Sequence, residues 1–458
     1  PRQRSVKATF EYSWQRFAAG DRQVFSRLSV FRGGFSRQAA QQIAGAGLRT
    51  LRILVKKSLI TAVGPDLYAV HELLRQFAAE KLETDGQAGP IRDVHSEYYL
   101  EAVASREADL KGRRQLEALE EIGSALDNVR AAWNWALERA AWPAVERVLE
   151  SLALFFFMRA RYQEGTDLFQ QALDSVTTGQ EGKEDFQRIW GRLIARSGLL
   201  KSQFAKSSPQ IEEDVKHSLA IAKTNREEAE IALSFLALGH YHSRTTADFR
   251  QALAYFEKSL DRFQAVGDLY FVAHSLHRVG YCHGYVTGRE KDLYYTSQSL
   301  DLAREIGDLF DASYALGNLG SIAFSTGDYN QAEQHIWESI GLCRVMKFRQ
   351  GLAHNLNLLG LCQFLGGQLK AAQETTNEGV FIARDLSFSN SVAYGLAVSS
   401  LLASLEGDYE YGLTLTGEGR DLQTNKFGVF LGHWAKAVAH TGLEQERQAW
   451  RQSLAALE

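Results

Sequence analysis

The chain has 458 residues, 45% of them apolar and 23% charged, with a formal net charge of -4. This is the balance of an ordinary folded protein, and it lacks the basic block of one built mainly to hold nucleic acid. Five prolines in this length point to an almost wholly helical chain, because proline removes a donor and clashes inside helices. No apolar run reaches the length of a membrane span; the strongest, 152–158 (LALFFFM), is far too short. Cys282, Cys343 and Cys362 form no C-x-x-C pair and read as buried reduced thiols. With no signal peptide, that places the expected location in the cytoplasm, away from membranes. The chain starts at Pro1 rather than methionine and is expected to be a piece of something longer.

In chain order, 9–19 carries Phe10, Trp14 and Phe17 at helical spacing. Asp21 is placed to cap a second helix with Val24, Phe25 and Leu28 inside, and Gly33-Gly34 breaks it. Ser36 caps a third helix to Ala44, and a fourth runs over 48–57. Two β-like segments, 59–63 and 67–70, flank Gly64-Pro65-Asp66, and helix resumes over 71–83. Helices followed by a small hairpin read as a winged-helix domain over 1–85. The polar stretch 84–93, with two glycines and Pro90, reads as a linker. A helical connector is expected to fill the rest of 86–140, helical from Asp93 to about Arg139. Trp133, Trp135 and Trp142 gather near its end as packing residues, and Pro143 suits the first turn of the next helix. The stretch 175–185 reads as a mobile loop.

A fixed spacing governs the remainder. Gly198, Gly239, Gly280, Gly320 and Gly360 are followed by Ser400, at intervals of 41, 41, 40, 40 and 40. Ala252, Ala332 and Ala372 follow twelve or thirteen residues after their glycines. Gly267-Asp268, Gly307-Asp308, Gly327-Asp328 and Gly407-Asp408 mark turns, the glycine ending one helix and the aspartate capping the next. Such a period implies stacked helix pairs whose neighbours cover each other's apolar faces. The predicted array covers 141–440, and 441–458 reads as a capping helix. Leu-Gly, then Gly-Asp-Tyr, then alanine resembles the tetratricopeptide repeat, lengthened from its usual ~34 residues. The fold class is therefore all-α: a winged helix, then a right-handed α-solenoid of tetratricopeptide-like repeats.

Four phrases, PRQRSVKATFEYSW, FSRLSVFRGGFS, LVKKSLI and YAVHELLRQFAAEKL, stand in order over 1–82. They resemble the winged-helix segment of STAND signal-transduction ATPases. VHSEYYL, LDNVRAAWNWALE and RYQEGTDLFQQAL continue the resemblance, which covers essentially the whole chain. Val70-His71-Glu72 falls where that family carries Met-His-Asp. The resemblance implies that His71 touches the β-phosphate of ADP held by a nucleotide-binding domain of the same protein. It further implies that the winged helix latches the closed state until an inducer on the repeats releases it. Val70 and Glu72 depart from the motif, and by itself His71 reads as a residue that starts a helix.

The chain has no phosphate loop: its one Gly-Lys pair, Gly182-Lys183, is followed by Glu184, and Thr177 stands where the first glycine belongs. No cofactor and no enzyme activity are expected of this chain; ADP, ATP and Mg are expected only with the absent nucleotide-binding domain. His274 and His277 at i, i+3 could begin a zinc site, but nothing completes it, so no metal is expected. Arg49, Arg52, Lys56 and Lys57 on one helix could meet phosphate, but no polar residues suited to reading bases accompany them, and direct nucleic-acid binding is not expected.

Two alternatives stay open: a protein–protein scaffold that does not switch, and a regulator that binds DNA through its winged helix. Counting from the repeat glycines, the first-helix face presents His274, His277, Tyr281, Tyr314, Ser321, Phe324, His354, Asn357, Leu361 and Phe364, with His240, Tyr285 and Tyr394 extending or flanking the stripe. This face is the expected groove for an inducer, whether small molecule, peptide or protein, because aromatic rings give flat apolar area and imidazole or amide groups fix orientation. An alternative is packing between helices. His277→Ala and Asn357→Ala are expected to weaken inducer binding while leaving the melting temperature nearly unchanged.

Overall fold

The computed structural model describes residues 11, 14–15, 17–177, 184–204, 208–386, 388–420, 426–442 and 452. Part of the helix expected over 9–19, most of the loop expected over 175–185 and most of the capping helix expected over 441–458 lie outside them. The chain forms two compact units. One comprises residues 1–110, 116–155 and 167–193; the other comprises 111–115, 156–166 and 194–458.

The first unit begins with α1 (Ala19–Arg27), β1 (Gly34–Ser36), α2 (Arg37–Ala44), α3 (Leu48–Lys56), β2 (Thr61–Ala62), β3 (Leu67–Ala69) and α4 (Glu72–Thr84). Asp21 does not cap α1: it lies in the first turn, where its charge still favours the helix N-terminus. Ser36 does cap α2, its Oγ accepting from Ala39 N at 3.1 Å. The sheet has three strands rather than the hairpin's two, because β1 pairs antiparallel with β3, Gly34 opposite Ala69. Helices with a small sheet of this kind fit a winged helix. Phe25, Leu28, Phe31, Phe35, Leu51 and Leu54 make its core.

The expected linker is largely helix. α5 (Ala88–Ala104) starts inside it, with Pro90 in the first turn, where its missing N–H has no intrahelical partner to lose. The connector is also interrupted: α6 (Glu107–Leu110) and α7 (Gln115–Glu138) leave 111–114 (KGRR) non-helical. Buried Asn128 of α7 accepts from Arg32 N at 2.7 Å and donates to Gly34 O at 2.8 Å, fixing the start of β1. The three tryptophans do not gather. Trp133 is buried against Phe169, Trp135 donates to Asp93, and Trp142 meets Phe186. α8 (Trp142–Met158), α9 (Tyr162–Thr177) and α10 (Glu184–Lys201) follow, with Pro143 in the first turn of α8.

In the second unit, helix pairs stack at the predicted spacing: α11 (Pro209–Asn225), α12 (Glu228–His240), α13 (Phe249–Val266), α14 (Leu269–Val286), α15 (Arg289–Ile306), α16 (Leu309–Ser325), α17 (Tyr329–Val345), α18 (Arg349–Leu365), α19 (Leu369–Asp385), α20 (Ser389–Leu405), α21 (Tyr409–Arg420) and α22 (Lys426–Gly442). The Gly-Asp turns behave as the sequence requires. Gly267, Gly307, Gly327 and Gly407 take φ of 80° to 85°, and each following aspartate accepts from the backbone of the next helix.

The repeat glycines mark close crossings. A Cβ at Gly280 would stand 2.7 Å from Thr296 Oγ1 and 3.1 Å from Asp292 O; one at Gly320 would stand 2.6 Å from Ile336 Cγ1. Thr296 and Ile336 lie one helical turn beyond the repeat's alanine position, whose own carbonyl faces the glycine at Asp292, Ala332 and Ala372. The two helices of each pair are tied by buried serines: Ser259, Ser299 and Ser339 donate to the carbonyls of Ala232, Ala273 and Ser313 at 3.0, 2.7 and 2.6 Å. Outside runs a ladder of exposed ion pairs, Arg262–Glu228, Arg304–Glu338, Arg344–Glu378 and Arg384–Glu418. Each contributes little, ~0–1 kcal/mol.

Candidate functional site

The first helices of the second unit bring part of the predicted stripe together. Rings follow one another along it: Phe249 on Tyr285 at 4.0 Å, Tyr285 to Tyr281 at 5.2 Å, Tyr281 to His277 at 6.4 Å, His277 to Tyr314 at 5.5 Å and Tyr314 to Phe348 at 5.3 Å. Tyr281, Tyr314 and Ser321 are half-buried and Tyr285 is exposed. The other predicted residues stand apart from this run. His354 is exposed and near Tyr394, Phe324 meets Tyr329, and Phe364 meets Trp434. Leu361 is buried core.

His240, His274 and His277 are buried. The first two belong to a directional chain. Gln203 Nε2 donates to His240 Nδ1 at 3.2 Å, so His240 carries its proton on Nε2. That Nε2 lies 3.1 Å from His274 Nε2, which therefore accepts, and His274 Nδ1 donates to Asp311 Oδ1 at 2.7 Å. Burial, then the charge of Arg278, holds all three imidazoles well below their usual pKa, so they are neutral at neutral pH. Burial pushes Asp311 up to about 7, and burial beside Asp311 raises Asp308 well above the carboxylate range.

This chain is covered by the protein itself. The turn between α8 and α9 belongs to the second unit, and Phe157 sets its ring against His240, His274 and Phe310 at 5.9, 5.7 and 5.6 Å. Arg159 donates to Met346 O at 2.6 Å, and Tyr162 donates to Gln350 Oε1 at 2.7 Å. The interruption at 111–115 lands nearby. Lys111 pairs with Asp268 at 2.9 Å, and Gln115 donates to Asp308 while accepting from Leu309 N and Phe310 N. A stripe of first-helix offsets counts side chains on one helix; it contains no signal for a distant segment that covers them.

Asn357 packs inside the array, its Nδ2 engaged and its Oδ1 without a partner. It is buried and donates to Ser391 O at 2.8 Å and Ser391 Oγ at 3.0 Å, bridging α18 and α20. The expectation that its loss spares stability is therefore reversed: Asn357→Ala leaves buried polar groups unpaired. Sequence reasoning also passed over Arg244 and Arg278, since charged residues on helices are usually solvated. Arg278 is buried with its guanidinium 4.7 Å from the Tyr314 ring centroid. Its only signal was its place, one residue after His277 within an apolar helix.

In the first unit, His71 is exposed at the N-cap of α4, its Nδ1 accepting from Leu73 N at 3.3 Å. Arg49, Arg52, Lys56 and Lys57 are exposed, and Lys57 lies 3.7 Å from Asp21. Among the described residues no group of three or more His, Cys, Asp or Glu could hold a metal ion, and no helix is long and apolar enough to cross a membrane.

No protein-family model matches the chain. Over 298 residues it is 27% identical to a Mycobacterium tuberculosis protein named "Putative HTH-type transcriptional regulator", covering 61% of this chain and 33% of the relative; a Mycobacterium bovis protein of the same name matches equally. The chain thus spans about a third of the length of these curated relatives. Among solved structures it is similar to a STAND protein with a tetratricopeptide repeat sensor from Pyrococcus horikoshii, with a TM-score of 0.59 and 15% identity over 98% of this chain and 65% of that one. It is also similar to a Rap protein complexed with competence and sporulation factor, with a TM-score of 0.53 and 14% identity over 81% of this chain and 98% of that one. These likenesses establish the tetratricopeptide-like helical fold.

Proposed function

We propose that the chain is the sensor and autoinhibitory arm of a STAND-type signal-transduction ATPase, in which the repeat array binds an inducer and the winged helix relays that event to a nucleotide-binding domain of the same protein. The arm itself has no catalytic activity and works in the cytoplasm. The observation that carries this reading is the first-helix face, where an aromatic run meets a buried network of histidine, aspartate and arginine. Such a face suits recognition: flat rings give area at little entropic cost, and a few fixed polar groups give specificity. The fold likeness to a STAND protein with a repeat sensor supports the assignment, as does the segment 111–115, which packs in the array yet is continuous with α6 and α7 of the other unit. An inducer shifts such a switch only through different affinities for its two states.

The test uses the full-length protein with its nucleotide domain. His71→Ala removes the predicted contact to ADP phosphate, worth ~1.5–3 kcal/mol for a charge-assisted bond. Basal output without inducer should rise about tenfold or more. Unchanged or lower basal output in a normally folded variant sinks the assignment of His71.

A further inference from the structure

Arg278 is 5% exposed, and its Nη2 is buried with no hydrogen-bond partner. Its Nε has only a long contact, 3.5 Å, to His274 Nε2. Asp311 accepts from His274 Nδ1, and among the described residues neither Asp308 nor Asp311 lies within ion-pair distance of Arg278. Arg244 is half-buried on the π-turn Tyr241–Thr245 that ends α12. His277 Nδ1 is buried and also has no partner.

A buried guanidinium with no anion beside it opposes folding, because an unpaired charge is strongly disfavoured away from water. A fold that served packing alone would place an apolar side chain at 278. The guanidinium lies over the face of Tyr314, an arrangement that stabilises the cation while Nη2 keeps an unmet donor for an oxyanion. Tyr281 and Tyr314 supply flat apolar walls on the adjoining run.

We propose that this face binds its ligand by an oxyanion, a carboxylate or phosphate carried on a flat apolar body, with Arg278 as the fork. The inference rests on the array face being a ligand site and adds the chemical class of the ligand. Cationic ligands are excluded by the same charge.

The experiment is a thermal-shift and calorimetric comparison on the whole chain with matched probes: 4-hydroxyphenylacetate, its neutral amide, tyramine, phenyl phosphate, and Gly-Gly-Tyr with a free or amidated C-terminus. The acids should raise the melting temperature and bind about tenfold or more tightly than their amides, with no response to tyramine. The small acids and the free peptide distinguish a metabolite-sized ligand from a peptide C-terminus. Arg278→Met should melt no lower than the wild type without probe and should lose the response to acids. Amides or tyramine binding as well as the acids overturns the oxyanion inference but keeps the face as a ligand site. Lower melting of Arg278→Met, with wild type unresponsive to every probe, makes the cluster structural and overturns both.

Discussion

Gln115, in the segment 111–115 of the second unit, bonds to the start of α16, and its replacement by leucine separates those bonds from mere packing. The side chain is fully buried. Its Nε2 donates to Asp308 Oδ1 at 2.8 Å, and its Oε1 accepts from Leu309 N and Phe310 N, each at 3.1 Å. Phe310 N keeps a second acceptor, Asp308 Oδ1 at 3.0 Å, so the loss falls chiefly on Leu309 N and Asp308. Leucine preserves the volume and removes those two bonds. At ~0.5–1.5 kcal/mol net for each bond, with a larger cost for whichever group stays buried and unpaired, the change should destabilise the array by about 2 kcal/mol. Lys111→Ala breaks only a partly exposed pair with Asp268 and should cost about 1 kcal/mol or less. Urea unfolding measures both. Hydrogen exchange adds a local readout that holds even if the repeats unfold in stages: Leu309 should lose protection in Gln115→Leu while amides of α20 do not. A cost under about 0.5 kcal/mol with Leu309 protection unchanged would falsify the view that this amide anchors its segment.

Gly280→Ala should destabilise the array despite the helix propensity it gains, because backbone atoms, Asp292 O and Thr296 N, each stand 3.1 Å from the new Cβ; overpacking of ~1–3 kcal/mol outweighs ~1 kcal/mol of propensity, and a melting temperature at or above wild type contradicts the close crossing. His95 is buried and held at about 4 by burial, against the bond to Asn128, which favours the charged form. Its folded pKa lies below the unfolded value, so the unfolded chain binds the extra proton: stability is intact above ~6.5 and falls as pH drops toward 4, by ~3 kcal/mol at most from this group. His95→Gln should flatten the loss over that window in urea titrations at several pH values, and an identical slope in both proteins rejects the assignment. Calorimetry of the chain with Mg-ATP should show no saturable binding, since no phosphate loop is present; micromolar affinity would refute this.

The sequence by itself determined the repeat. A period of 40 or 41, glycines at helix crossings and Gly-Asp turns are local requirements of backbone geometry, so they are written locally and appear where expected. Ser36 as a cap is legible for the same reason. Composition misled where a residue's effect depends on its place in a helix: Pro90 and its glycine neighbour looked like a linker but sit in the first turn of α5. The third strand pairing was hidden because β1, three residues long, has no periodicity of its own and is defined only by its partner β3.

The candidate site divides along the same line. Helical spacing placed His277, Tyr281 and Tyr314 on one face, and the structure brings their rings together. It could not foresee that Phe157 and Gln115, both more than 80 residues before His240, would reach that region. Nor could it foresee that Asn357 would spend its amide N–H groups on Ser391 while Arg278 kept a buried Nη2 without a partner. Whether a polar group is satisfied depends on partners supplied by distant chain. Burial then sets the cost of leaving it unsatisfied, and only the tertiary structure fixes both.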